Sequence, residues 1–186
     1  MKKVVFGALL ATVAGLAQAQ TVSCNGLQPV VTLTYATGAD AGMSGLLYMG
    51  MLSPDQSTAV YWNPQDSLQV YQNGMPAPNR RFDAGVPATQ VVTRPFPGQD
   101  TYAFNGWTLY IGHGVLTDQD KALVQKRHDV MAAAKPARVA AGTWNAAYDD
   151  DEHYMQAMVE RNMRQGNKYH SVMTIPVVDC RPATGN

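Results

Sequence analysis

The stretch NGWTLYIGHGVLTDQD, residues 105–120, contains the change of rhythm that decides the fold. Up to Ile111 the apolar residues alternate, with Trp107, Leu109 and Ile111 on one face of an extended segment and Tyr110 on the other. From Thr117 the spacing changes. Thr117-x-x-Asp120 has the form of a capping box with Asp in place of Glu. Leu123, Val124, Val130, Met131 and Ala134 then recur at helical intervals. A chain of short strands therefore gives way here to a helical segment.

Upstream, period-two runs bounded by Gly, Pro, Asn and Asp turns predict strands over residues 30–35, 46–52, 58–62, 68–71, 80–82, 89–94 and 101–104. Downstream, Pro136 is expected to end the first helix, and ARVAAGTW, residues 137–144, reads as a small-residue linker. A second helix is expected over 150–165 and a closing strand over 169–178. This order predicts an α+β fold, an Ig-like antiparallel β-sandwich with two C-terminal helices before a last strand. The length suits a single domain, residues 20–186, following a leader.

The leader is residues 1–19. Lys2 and Lys3 form a short positive region, residues 4–16 an apolar one, and Ala17-Gln18-Ala19 supplies the small residues of a cleavage site. The mature chain is expected to begin at Gln20, in a bacterial periplasm or outside the cell. No later run approaches the ~20 apolar residues of a membrane helix, so no membrane span is expected in the mature chain. Removing Lys2 and Lys3 leaves 12 basic against 14 acidic residues, scattered without a basic stripe, which disfavours nucleic acid as a partner. The only two cysteines, Cys24 and Cys180, lie near the two ends of the mature chain. In an oxidising compartment they are expected to pair and to bring the ends together on neighbouring strands.

The densest cluster of chemistry-bearing side chains is AAYDDDEHYM, residues 146–155. Asp149-x-x-Glu152 has capping-box spacing, and Asp150 and Asp151 then fall in the first helical turn, where the helix dipole favours negative charge. The alternative is a metal site using Asp149, Asp151 and His153. Calcium loops space their oxygen ligands around a turn glycine, and zinc requires converging histidines or thiolates, so this run matches neither. Met49-x-Met51 reads as core packing rather than a copper site. Gly42-Met43-Ser44-Gly45 is not a nucleophile elbow. No catalytic residue and no cofactor are assigned. Tyrosine and tryptophan give large contact area with few rotors to freeze. The candidates for partner binding are therefore the aromatics near turns: Tyr61, Trp62, Tyr71, Trp144 and Tyr148.

An aromatic followed by L-Y-x-G-x-G, together with Trp62-Asn63-Pro64 and Gly74-Met75-Pro76, resembles the closing strand and corners of β-sandwich modules in exported bacterial proteins, where "YVGYG"-like strands recur. The resemblance spans about residues 42–117. It implies a sandwich fold of the kind found in surface, adhesin-like and pilus-associated proteins, and it brings no catalytic residues. The expected function is a non-enzymatic structural or recognition module of the cell envelope, accessory to a pilus or other surface appendage, with an envelope or surface protein as partner. A periplasmic small-molecule or metal-binding protein and a secreted hydrolase are the alternatives.

Overall fold

The structure, a computed structural model, describes residues 18–182. Most of the expected leader lies outside the described residues. Nine strands and three helices follow in the order β1 (Gln18–Asn25), β2 (Gln28–Ala36), β3 (Gly45–Leu52), β4 (Ala59–Trp62), β5 (Leu68–Val70), β6 (Arg80–Phe82), β7 (Thr89–Pro95), β8 (Thr108–Val115), α1 (Asp118–Ala140), α2 (Ala146–Asp149), α3 (Asp151–Gln165) and β9 (Tyr169–Thr174). Short 3-10 turns occupy Gly38–Asp40 and Tyr102–Phe104. The second of these falls where the sequence suggested a strand. Gly106 follows it at φ +79°, turning the chain back into β8.

The strands form two antiparallel sheets packed as a sandwich, with the helices inserted before the last strand. The smaller sheet has the order β1-β2-β7. The larger runs β5-β4-β3-β8-β9, with β6 pairing to the start of β3. Alternation along each strand builds the core. Val31, Leu33, Tyr35 and Val92 from the small sheet meet Leu47, Met49, Met51, Val60, Trp62, Leu109 and Ile111 from the large one. The opening stretch has the expected register: Leu109 and Ile111 are buried, Trp107 packs at the core edge, and Tyr110 turns to the opposite face.

Cys24 and Cys180 form the expected disulfide. Its geometry corrects the idea of neighbouring strands. Cys24 lies in β1 of the small sheet, and Cys180 lies beyond β9 of the large one. The tail between them crosses the end of the sandwich, held where Thr101 N–H donates to Val178 O (2.9 Å) and Cys180 N–H to Gln99 O (2.8 Å). The bond thus joins one sheet to the other.

The helices depart from the sequence reading in three places. First, α1 continues through Pro136 to Ala140. Ala132 and Ala133 are small and exposed, which leaves room for the proline ring and leaves the orphaned carbonyl to water. Second, Leu123 and Val130 are exposed, at 38% and 60%. The half-buried face is Val124, Arg127, Met131, Ala134 and Arg138, following buried Asp120. Polar stitches to the neighbouring helices set that face: Arg161 pairs with Asp120 (2.6 Å), Arg138 with Asp149 (2.8 Å), and Arg127 donates to Tyr148 O (2.9 Å).

Third, the cap of α3 is Asp150, whose carboxylate accepts from His153 N–H at 3.0 Å. Asp149 instead closes α2, accepting from Asn145 N–H at 2.8 Å. Three consecutive aspartates offered three cap registers, and the Arg138–Asp149 pair selects one of them. Asp150→Ala is expected to lower stability by about 1 kcal/mol, the ordinary cost of losing an N-cap. Asp149→Ala should leave the α3 cap intact. Urea denaturation and helical circular dichroism of the two variants check this. Equal fraying of α3 in both would return the cap to Asp149.

Candidate functional site

The outer face of the large sheet carries an apolar cavity. In β3 the side chains facing outward are Leu46, Tyr48, Gly50 and Leu52, and in β8 they are Tyr110, Gly112 and Gly114. Helix α3 lies across one half of this face and seals Leu46 beneath Val159 and Leu116. Glycine is required where the helix comes nearest: a Cβ on Gly114 would sit 2.1 Å from Val159 O. A Cβ on Gly112 would sit 2.7 Å from Tyr169 Cβ and 3.0 Å from Met163 Sδ.

The other half of the face is an open groove of about 330 Å³. Tyr48, Tyr61 and Tyr110 line it from the sheet, Tyr71 and Pro76 from the loop after β5, and Tyr169 and Met163 from the opposite side. Among the described residues no charged side chain lines it. The antiparallel register explains its shape. Tyr48 pairs with Gly112 and Tyr110 with Gly50, so each tyrosine stands opposite a glycine. A Tyr-x-Gly unit repeated on two neighbouring strands thus sets each ring opposite a glycine that its own neighbours approach closely: a Cβ on Gly50 would sit 2.5 Å from Val60 O. The loop wall is pinned: Tyr71 donates its hydroxyl to Gly74 O (2.9 Å) and Gln156 Nε2 donates to Pro76 O (2.7 Å). The Tyr48 hydroxyl is buried beside Gln156 and Glu160 without a hydrogen bond of normal geometry, and burial plus the Glu160 carboxylate push its pKa up. Glu160 is itself 5% exposed. Burial raises its pKa, while the ion pair with Arg164 (3.1 Å) opposes the rise.

A second, polar cavity of about 240 Å³ lies on the other side of β9, between the Gly38–Asp40 turn and residues 166–170. Here a hydrogen-bonded chain runs from Tyr35 Oη to His113 Nδ1 (2.5 Å), from His113 Nε2 to Asp40 Oδ2 (2.7 Å), and from Lys168 Nζ to the same carboxylate oxygen (2.6 Å). The Asp40 carboxylate only accepts, so Nε2 carries the hydrogen and Tyr35 donates to Nδ1. His113 is 5% exposed. Burial lowers its pKa and outweighs the opposing pull of Asp40, and Lys168 and His170 add to the lowering. Burial, followed by Asp40, raises that of Tyr35, which stays protonated. His113 is neutral when folded but accepts a proton more readily once unfolded. Its contribution to stability is complete above the ordinary imidazole value of 6.5 and is lost as pH falls through the lower folded value. The melting temperature is expected to drop on acidification through that window, and to drop less in His113→Gln. Parallel pH profiles for the two proteins would assign the acid loss to other groups.

Of the partner-binding candidates, Tyr61 and Tyr71 meet in the groove. Trp62 does not: it is 0% exposed, and its indole N–H donates to Pro95 O at 2.8 Å. Trp144 is half-buried beneath Lys135 Nζ (5.0 Å) and the Arg138 guanidinium (5.7 Å), closing the corner between α1 and α2. Tyr148 is exposed at 67%, with its ring edge against His153. The residues offered for a metal do not converge. Asp149 takes Arg138, Asp151 takes His128 Nδ1 (2.6 Å), and His153 packs on Tyr148. Among the described residues no group of three or more His, Cys, Asp or Glu could hold a metal ion. The neighbouring Glu152 pairs with Arg81 of β6 (3.2 Å), so the acidic run fastens α3 to its surroundings. Among the described residues no helix is long and apolar enough to cross a membrane.

Sequence reasoning turned Tyr110 to the outer face without counting it among the binding candidates, and it missed Tyr48 and Tyr169. The signal available for Tyr48 and Tyr110 was the repeated Tyr-x-Gly at outward positions. No family model, curated protein or solved structure matches the chain.

Proposed function

We propose that the chain is an exported, non-enzymatic recognition module of the cell envelope, accessory to a surface appendage. Its groove grips an uncharged, extended, proline-bearing segment of its partner. The observation that carries this reading is the paired Tyr-x-Gly register, which lines the groove with Tyr110 and with the ring of Tyr48, whose hydroxyl lies under α3. Structural disulfides persist in oxidising compartments, which supports export. The uncharged lining disfavours a charged occupant, whose desolvation nothing there would offset. Aromatic grooves suit polyproline-type segments, which arrive already extended and without internal hydrogen bonds to break. A small apolar molecule is the second reading, because the volume lies at the lower end of small-ligand cavities.

Two short proline-rich peptides, one uncharged and one with lysine and glutamate in place of its apolar residues, test this by NMR of labelled protein. The uncharged peptide is expected to shift the resonances of Tyr61, Tyr110 and Tyr169. Tyr110→Ala should weaken it by at least about tenfold, the scale of an aromatic hot spot, with little change in melting temperature. Equal binding of both peptides, or shifts confined to other surfaces, would overturn the reading. Groove shifts produced only by small aromatic compounds would favour the small-molecule reading.

A further inference from the structure

The polar cavity and the groove share one strand, and an inference about regulation follows that rests on reading the groove as a binding site. Tyr169 forms part of the groove wall, while its sequence neighbours Lys168 and His170 line the polar cavity. The carbonyl of Lys168 belongs to the peptide leading into Tyr169. It already accepts the backbone N–H of His113 at 3.2 Å, and the Tyr35 hydroxyl lies 3.4 Å from it.

These distances give the hydrogen-bonded chain two self-consistent arrangements. In the first, Tyr35 donates to His113 Nδ1 and Nε2–H donates to Asp40. A second proton on the ring would occupy Nδ1 and reverse the Tyr35 bond: Nδ1–H would donate to Tyr35 Oη, and the phenolic hydrogen would turn to the carbonyl of Lys168. For that bond to form well, 3.4 Å must shorten, which draws the peptide before Tyr169 toward β2. Tyr169 pairs with Gly112 of β8 and packs close on it, its Cβ 2.7 Å from where a Cβ on Gly112 would sit. A shift of this peptide therefore moves the wall of the groove.

We propose that His113 is an acid-responsive switch, coupling protonation in the polar cavity to the Tyr169 wall so that the groove releases its occupant on acidification. The groups facing the ring are Tyr35 from β2, Asp40 from the 3-10 turn, Lys168 from the turn after α3 and His170 from β9. Asp40 favours the second proton, while Lys168, His170 and burial oppose it. The switch therefore operates on the acid side of neutrality and leaves the groove formed above it.

The experiment follows the His113 imidazole and Tyr169 ring resonances of the exported protein against pH, alongside affinity for the uncharged proline-rich peptide. The Tyr169 shift is expected to share the midpoint of His113. Affinity should fall about fivefold or more from neutral pH to the pH at which the His113 resonance has finished titrating, the lower range of measured coupling between sites. Tyr35→Phe removes the hydroxyl but keeps the ring. In it His113 should still titrate while Tyr169 stays still and the affinity loss shrinks. His170→Gln should leave the coupling in place. A Tyr169 resonance that ignores the His113 titration in the wild-type protein overturns the switch, as does one that persists in Tyr35→Phe or vanishes in His170→Gln. Failure of the peptide to bind at either pH would remove the groove reading alone, because the Tyr169 resonance decides the switch without a ligand.

Discussion

Replacing both Cys24 and Cys180 by alanine is expected to lower the stability of the disulfide-bonded protein by about 5 kcal/mol, by the chain-entropy account of cross-links. The bond spans a sequence separation of 156, so it closes nearly the whole described chain into a loop in the unfolded state. A loss of that size is comparable to the entire stability of many domains. The folded side argues in the same direction. β1 is an edge strand in which Thr21, Ser23, Cys24 and Asn25 are exposed, and Val22 packs against the core. Its hold on the molecule is therefore the ladder to β2 and the cross-link to Cys180 in the tail beyond β9. In the double variant, β1 amides should lose protection from hydrogen exchange before those of β3 and β8. Guanidinium denaturation with and without reductant measures the global cost. A change under about 1 kcal/mol would mean that the loop entropy is offset by strain or by residual unfolded-state structure.

The features readable in the sequence were those fixed by local periodicity. Val31, Leu33 and Tyr35 alternate because one face of β2 is buried, and the same parity places Leu109 and Ile111 inward. The helix 151–165 was readable from its acidic start. What was not readable depended on distant partners. The choice of Asp150 over Asp149 as cap is decided by Arg138, on another helix. The exposure of Leu123 and Val130 is decided by Arg161 and Arg127, which hold the other face of α1 inward. The groove needed the β3–β8 register before Tyr48 and Tyr110 could be set opposite glycines. The polar cavity needed four segments at once, since Tyr35, Asp40, His113 and Lys168 share no spacing that chemistry would single out.

Trp62 shows how a local turn signal can outweigh a strand period. It precedes the Asn63-Pro64 corner, where an aromatic reads as an exposed anchor. Val60 and Trp62 nevertheless have the same parity in β4, and Val60 is core. The indole lies between the sheets. It donates to Pro95 O of β7 and packs edge-on against Phe96 with ring centroids 5.7 Å apart. Phe96 continues to Phe104, and Phe104 to Trp107, so one aromatic chain links β4 in the large sheet to the segment before β8. Trp62→Ala is expected to cost about 3–5 kcal/mol, because it opens a cavity that rigid neighbours cannot fill. Trp62→Phe keeps most of the apolar contact but leaves the Pro95 carbonyl without its donor, which should cost about 1–3 kcal/mol. The two variants together separate packing from hydrogen bonding. Peptide binding at the groove should survive in the folded fraction of both, because the groove lies on the opposite face of the sheet. Near-wild-type stability in Trp62→Ala together with lost peptide binding would instead return Trp62 to the recognition surface.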